Sequence, residues 1–225
     1  MTKNMPPAVR DHAVQIANHE MGHYVVARVL GFETGDVSLT VTMDLRHQAG
    51  ASITLARSIT TIEAMKEHLQ ARMMVLFAGA MAQSLASKRS PGKRVDKPKA
   101  AAILRGELGA EQDYAKIRAL RHLLRNITYP ETDPASSERV TAELKEITDR
   151  LWLRTQTIVE QLADTIIGLG EALVDGMGIV EQWGRSADTY EGVLTREGLE
   201  RMGLVRAIPG LRVGAGNDGA DSHRE

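Results

Sequence analysis

The sequence predicts a mainly α protein with a small β-sheet (α+β), on three observations. Apolar residues recur at three- and four-residue steps over most of the 225-residue chain. Two short segments in its first third are β-branched and alternate instead. Aromatic residues make up 4% of the sequence while Ala, Leu, Met and Val abound, which suits helix packing.

Residues 1–8, with Pro6-Pro7, read as a flexible start. The first helix spans Val9 to Leu30. Its apolar residues Val14, Ile16, Ala17, Met21, Val25, Val26 and Val29 have the spacing of a largely buried helix, and Gly31 stops it. Strands follow at Asp36–Thr42 and Ala51–Leu55, with Met43–Gly50 as their connection. Thr60 or Thr61 caps a second helix that carries Met65, Leu69, Met73, Leu76 and Phe77 and runs on through Leu85. Its methionines read as core. Residues 88–100 form a basic, exposed loop. Gly92-Lys93-Arg94 is no P-loop, because the upstream glycine spacing and a hydroxyl residue after the lysine are missing.

A third helix spans Gln112–Leu124, and residues 128–134 break the chain. A long helix covers Ser136–Leu169, capped by Ser136 or Ser137. Val140, Leu144, Ile147, Leu151, Ile158, Leu162 and Ile166 form its apolar stripe. Gly168, Gly170, Gly176 and Gly178 then loosen the chain, and residues 195–204 make a closing helix. One domain is expected over 9–208. It comprises a first helix, sheet and second helix (9–87), the basic loop (88–100) and a C-terminal helical bundle (101–208). The tail 209–225 has a disordered composition.

A formal net charge of -1 gives no reason to expect nucleic acid or an anionic membrane as partner. Met1–Arg10 lacks the apolar core of a signal peptide. The run Ile158–Val180 is interrupted by Glu160, Asp164, Glu171 and Asp175, so no membrane span is expected. The chain has no cysteine. Disulfides, thiol catalysis and thiolate metal sites are thereby excluded, a metal must be held by His and carboxylate, and a cytoplasmic location is expected.

The chemistry concentrates in His19-Glu20-Met21-Gly22-His23, an H-E-x-x-H on the first helix. Histidines at i and i+4 lie on one helix face and can bind one zinc ion, with Glu20 placed to take a proton from the metal's water. A metzincin extension would need Gly at position 26 and His at 29, where this chain has Val26 and Val29. A hydrolytic zinc site needs a third protein ligand. Glu63 or Glu67 on the next helix, or the more distant Asp113, could supply it. His12 lies two turns before His19, so it is expected to support the ligands from behind or to sit at the surface rather than to be a ligand itself. His47, His68, His122 and His223 show no ligand spacing.

Several segments, in order, resemble the peptidase domain of the FtsH-type ATP-dependent zinc metalloproteases. His19-Glu20-Met21-Gly22-His23 matches that family's H-E-x-G-H, and Val37–Val41 its following strand. Ala49–Thr54 is similar to its A-x-G-Y-T segment, Phe77–Leu85 to its L-G-G-R-A-A-E-E-L helix, and Gly109–Asp113 to its G-A-x-x-D. Leu194–Glu197 resembles its closing T-L-x-x-x-E segment. The likeness implies His19, His23 and Asp113 as zinc ligands and Glu20 as general base. The chain departs from the family at Ala80–Ser84, where the arginine and both carboxylates are replaced, and in the basic loop, which reads as an insertion. Neither the family's membrane helices nor its AAA module is read in this sequence.

The expected function is therefore zinc-dependent hydrolysis of peptide bonds, without an ATPase of its own. Substrates would be proteins or peptides, reached as flexible segments or with an unfoldase on another chain, and the likeness also suggests self-assembly. The strand holding Ser52, Ile53 and Thr54 is a candidate edge for an extended peptide to pair with. Two alternatives stand beside this. One is a catalytically silent zinc-binding module of the same fold, which would have no need of Glu20. The other is a zinc hydrolase of small amides.

Overall fold

A computed structural model of the chain describes residues 5–85, 94–107, 110–180 and 189–210. Over these residues the protein is mainly helical, around one four-stranded antiparallel sheet of order β2-β1-β4-β3. Most of the basic stretch (residues 88–93), Gly109, His223 and the tail from residue 211 lie outside them. No helix among the described residues is long and apolar enough to cross a membrane.

Helix α1 (Pro7–Val29) begins two residues before the expected Val9, since Pro7 can occupy the first helical position without losing a hydrogen bond. It ends as expected at Gly31, whose φ of 75° lets the Phe32 N–H donate back to the Ala27 carbonyl at 2.9 Å. Strands β1 (Glu33–Thr42) and β2 (His47–Thr54) follow. The expected eight-residue connection is shorter, because His47 and Gln48 pair with Val41 and Thr40. In this register Val37, Leu39 and Val41 share a face with Ala51, Ala49 and His47, and that face packs on α1.

The rest of the sheet comes from a region expected to be helical. β3 (Gly178–Val180) pairs with β4 (Thr189–Leu194), and β4 lies along β1 with Tyr190 opposite Val41. The sheet's second half is thus recruited from the far end of the chain, which leaves β2 as an edge.

Helix α2 (Ile62–Ser84) starts at Thr61, whose hydroxyl accepts from the Ala64 N–H at 3.1 Å. It runs antiparallel to α1. Phe32 meets His68 at one end of the pair, and His19 meets Gln83 at the other. The two helices approach closely because Gly22 faces Ala78 and Ala82. A β-carbon on Gly22 would lie 2.5 Å from Ala82 Cβ and 2.6 Å from the Ala78 oxygen.

The expected loop over 88–100 ends early. Helix α3 (Lys97–Ala102) is capped by Asp96, and Val95 and Ala100 are buried. The Val95 N–H donates to Glu160 at 3.1 Å, so this stretch is held against the helical bundle. Burial of Ile103 and Leu104 anchors the chain before it turns at Gly106, which has a φ of 96°. Only glycine serves there, since a β-carbon would also lie 2.5 Å from Glu111 Cγ.

Helix α4 (Glu111–Thr128) then carries Asp113 in its first turn. The long helix expected over 136–169 is two helices, α5 (Ser137–Gln161) and α6 (Ala163–Asp175), with the break at Leu162. α5 packs mainly on α2 and α4 while α6 packs on α1, and one straight helix could not cover all three. Gly168 and Gly170 do not loosen the chain. They lie inside α6, where Leu204 and Asn18 press against them. The closing helix is split at Met202 into α7 (Arg196–Arg201) and α8 (Gly203–Arg206).

Candidate metal centre

His19 and His23 lie one turn apart on α1 with their ring centroids 4.7 Å apart. Each ring is oriented by its outer nitrogen. His23 Nδ1 is 2.7 Å from the Val75 carbonyl oxygen. A carbonyl only accepts, so Nδ1 carries the proton and Nε2 is the nitrogen left for the site. His19 Nδ1 donates in the same way to Gln83 Oε1 at 2.9 Å. Both acceptors sit on α2, two turns apart.

Asp113 completes the group from α4. Its Oδ2 lies 3.2 Å from His19 Nε2 and 3.0 Å from His23 Nε2. A tetrahedral zinc site with ligand bonds of about 2.0–2.1 Å spaces its donors about 3.3 Å apart, close to these distances. Two imidazole lone pairs and a carboxylate converging in a buried place repel unless a cation sits among them. The oriented imidazoles match the arrangement in which metal-binding histidines donate their second N–H to a fixed acceptor. Among the described residues no other group of three His, Asp or Glu side chains could hold a metal.

Without a metal, a proton takes the cation's place. Burial works against a charged His23, but the hydrogen bond and charge of Asp113, with Glu20 and Val75 adding to them, raise its pKa to about 9. Burial likewise opposes a charged Asp113, yet hydrogen bonds from His19 and His23 hold its carboxyl far below the usual range.

Gly79 makes room for this arrangement. A β-carbon at that position would stand 2.5 Å from His23 Nε2 and 2.6 Å from His19 Nε2. No protein-family model matches the chain, and no curated protein matches it in sequence.

The centre opens on a cleft of about 540 Å³. α1 forms its floor with His19, Glu20 and His23. The edge strand β2 with Leu55 forms one wall, and α2 and the start of α4 form the other. Glu20 thus faces the same cavity as His19, His23 and Asp113. Glu63 and Glu67, the other third-ligand candidates, are exposed on the first turns of α2 and away from the cleft. Ile53 lines the cleft, whereas Ser52 and Thr54 point to the opposite, exposed face of β2. Only the backbone of those two residues can serve a ligand in the cleft. His12 Nε2 lies 3.1 Å from His47 Nδ1, and His47 reaches the cleft rim. Burial, then the neighbouring His47, lowers the pKa of His12.

Four contributors escaped sequence reasoning: Gln83, the Val75 carbonyl, Gly79 and Arg72, which lines the cleft from α2. A weak signal was available. Arg72, Val75, Gly79 and Gln83 follow at steps of three or four and so share the α2 face opposite the motif.

Proposed function

We propose that this chain is a zinc-dependent metallo-endopeptidase with an FtsH-like peptidase domain. One observation carries the reading. His19 and His23, each with its Nδ1 proton committed elsewhere, converge with Asp113 beside Glu20 on the floor of an open cleft.

His19, His23 and Asp113 would hold the metal. A zinc ion there supplies Lewis acidity, polarising a substrate carbonyl and acidifying water. Glu20 accepts the proton of the attacking water and passes it to the leaving amine nitrogen. The outer edge of β2 has no partner strand among the described residues and borders the cleft along its length, which suits an extended peptide. Ile53, Leu55 and Leu76 offer it apolar contact. A substrate laid on this edge is a flexible segment, or one delivered by an unfoldase on another chain.

The test is zinc content and peptide cleavage, measured on the same protein. The reading expects about one zinc per chain, retained in Glu20→Gln with cleavage lost. Loss of zinc in Asp113→Ala completes the set. Zinc-loaded protein that cleaves no peptide, or Glu20→Gln that cleaves normally, refutes it. Proline at Ser52 or Thr54 should abolish cleavage with zinc still bound.

A further inference from the structure

The cleft has two unlike ends. At the metal end it is lined by the carboxylates of Glu20, Glu111 and Asp113. At the other end the lining is Ile53 and Leu55 from the β2 side and Arg72 from α2. Arg72 precedes Val75, whose carbonyl meets His23, by about one helical turn, and Gly79, which abuts both imidazoles, by two, a backbone rise of about 5–10 Å.

Arg72 is half-buried, and among the described residues no carboxylate lies within ion-pair distance of it. The charge of Asp113 reaches it, but that carboxylate is committed to His19 and His23. Lys116 differs. It is largely exposed, with Nζ 4.0 Å from Asp113 Oδ1. A guanidinium held partly out of water in a cleft wall, with no internal anion, is suited to a planar carboxylate from outside. With a zinc ion bound, its charge offsets those of Asp113 and Glu20, so the Arg72 guanidinium, and not repulsion from the metal end, is the group that would fix a carboxylate in the cleft.

We propose that the cleft binds peptides selectively when they carry a carboxylate near the segment lying over the metal position, and that Arg72 is the residue that reads it. The proposal rests on the peptidase reading for the identity of the ligand as a peptide. A rise of about 5–10 Å corresponds to roughly two to three residues of extended chain, so the carboxylate lies within about three residues of the metal. It is a C-terminal α-carboxylate or an Asp or Glu side chain. Both present the same two oxygens to the guanidinium.

The experiment measures binding, so that turnover is not needed. Zinc-loaded Glu20→Gln protein is titrated with three fluorescently labelled alanine-leucine hexapeptides. One is neutral with a C-terminal amide, one has a free C-terminal carboxylate, and one is an amide with a single glutamate. At least one carboxylate peptide should bind ten times more tightly than the neutral one, and which one does so identifies the source. Adding Arg72→Met should bring that ratio close to one, and Arg72→Lys should leave it intermediate. A ratio near one with Arg72 present, a ratio that survives Arg72→Met, or no binding of any peptide overturns the proposal. Wild-type cleavage of the same peptides separates the two readings. Selective binding without cleavage sinks the peptidase reading alone, and cleavage without carboxylate preference sinks this one alone.

Discussion

Gly79 on α2 lies directly against His23 on α1, with no room for a β-carbon between helix and imidazole. The candidate metal site is thus shaped by a missing side chain as well as by the residues that would hold the ion. Gly79→Ala should favour the helix by about 1 kcal/mol on propensity alone. It should nevertheless push both rings aside and weaken zinc binding on the order of 100-fold or more, since losing only the partner that orients a ligand costs about 10- to 100-fold and displacing the ligand costs more. Chelator competition and far-ultraviolet circular dichroism would read the two effects. Undiminished zinc affinity in the alanine variant contradicts the geometry.

Gln83 holds His19 through Nδ1, and both side chains are buried. Gln83→Leu keeps the volume but strands a buried N–H and frees the ring to turn. Zinc affinity should fall about 10- to 100-fold. Gln83→Glu should retain it, because a carboxylate accepts the same proton. If both variants bind zinc as the native chain does, the ring is oriented by something other than Gln83.

These two residues mark where sequence reading stopped. His19, Glu20 and His23 were legible because three nearby positions on one periodic helix carry the motif. Asp113 is 94 residues beyond His19, and no periodicity links them. Only the resemblance pointed to it rather than to Glu63 or Glu67. Gln83 stood out as a departure from the family pattern, yet its place against His19 depends on how α2 crosses α1. β3 and β4 were missed because β3 is three residues long and β4 is short. The alternation in Thr189–Leu194 gains meaning only when β1, some 150 residues earlier, is beside it. The break at Leu162 likewise has no proline or glycine to announce it. Packing on two different neighbours sets it.

Gly170 of α6 presses on Asn18, the residue before His19. A β-carbon there would lie 2.3 Å from Asn18 Oδ1. Gly170→Ala should overpack this contact and destabilise the fold by about 1–3 kcal/mol despite its better helix propensity. Gly50, with nothing within 4 Å of its virtual β-carbon, supplies the control. Gly50→Ala should change stability by about 0.5 kcal/mol or less. Urea denaturation of the two variants compares them directly, and equal midpoints would show that α6 yields easily at Asn18.

The proton shared by His23 and Asp113 gives the metal-free protein a pH dependence of definite sign. In the fold, despite burial, Asp113 raises the His23 pKa to about 9, against about 6.5 for a free imidazole. A group with a raised folded pKa stabilises fully while both states are protonated, below about 6.5. Its contribution is lost as pH rises through about 9. The shift corresponds to on the order of 3 kcal/mol. Asp113 stays ionised across this window, because its folded pKa lies far below the usual carboxylate range. Urea unfolding of chelator-treated protein should therefore show stability falling between about pH 6.5 and 9. Zinc-loaded protein should not share that fall, because the metal replaces the proton. Zinc uptake at pH 7 should accordingly release the His23 proton. Calorimetry in buffers of different ionisation enthalpy measures it. Uptake with no buffer dependence would mean that His23 is already neutral, and that Asp113 does not hold its proton in place.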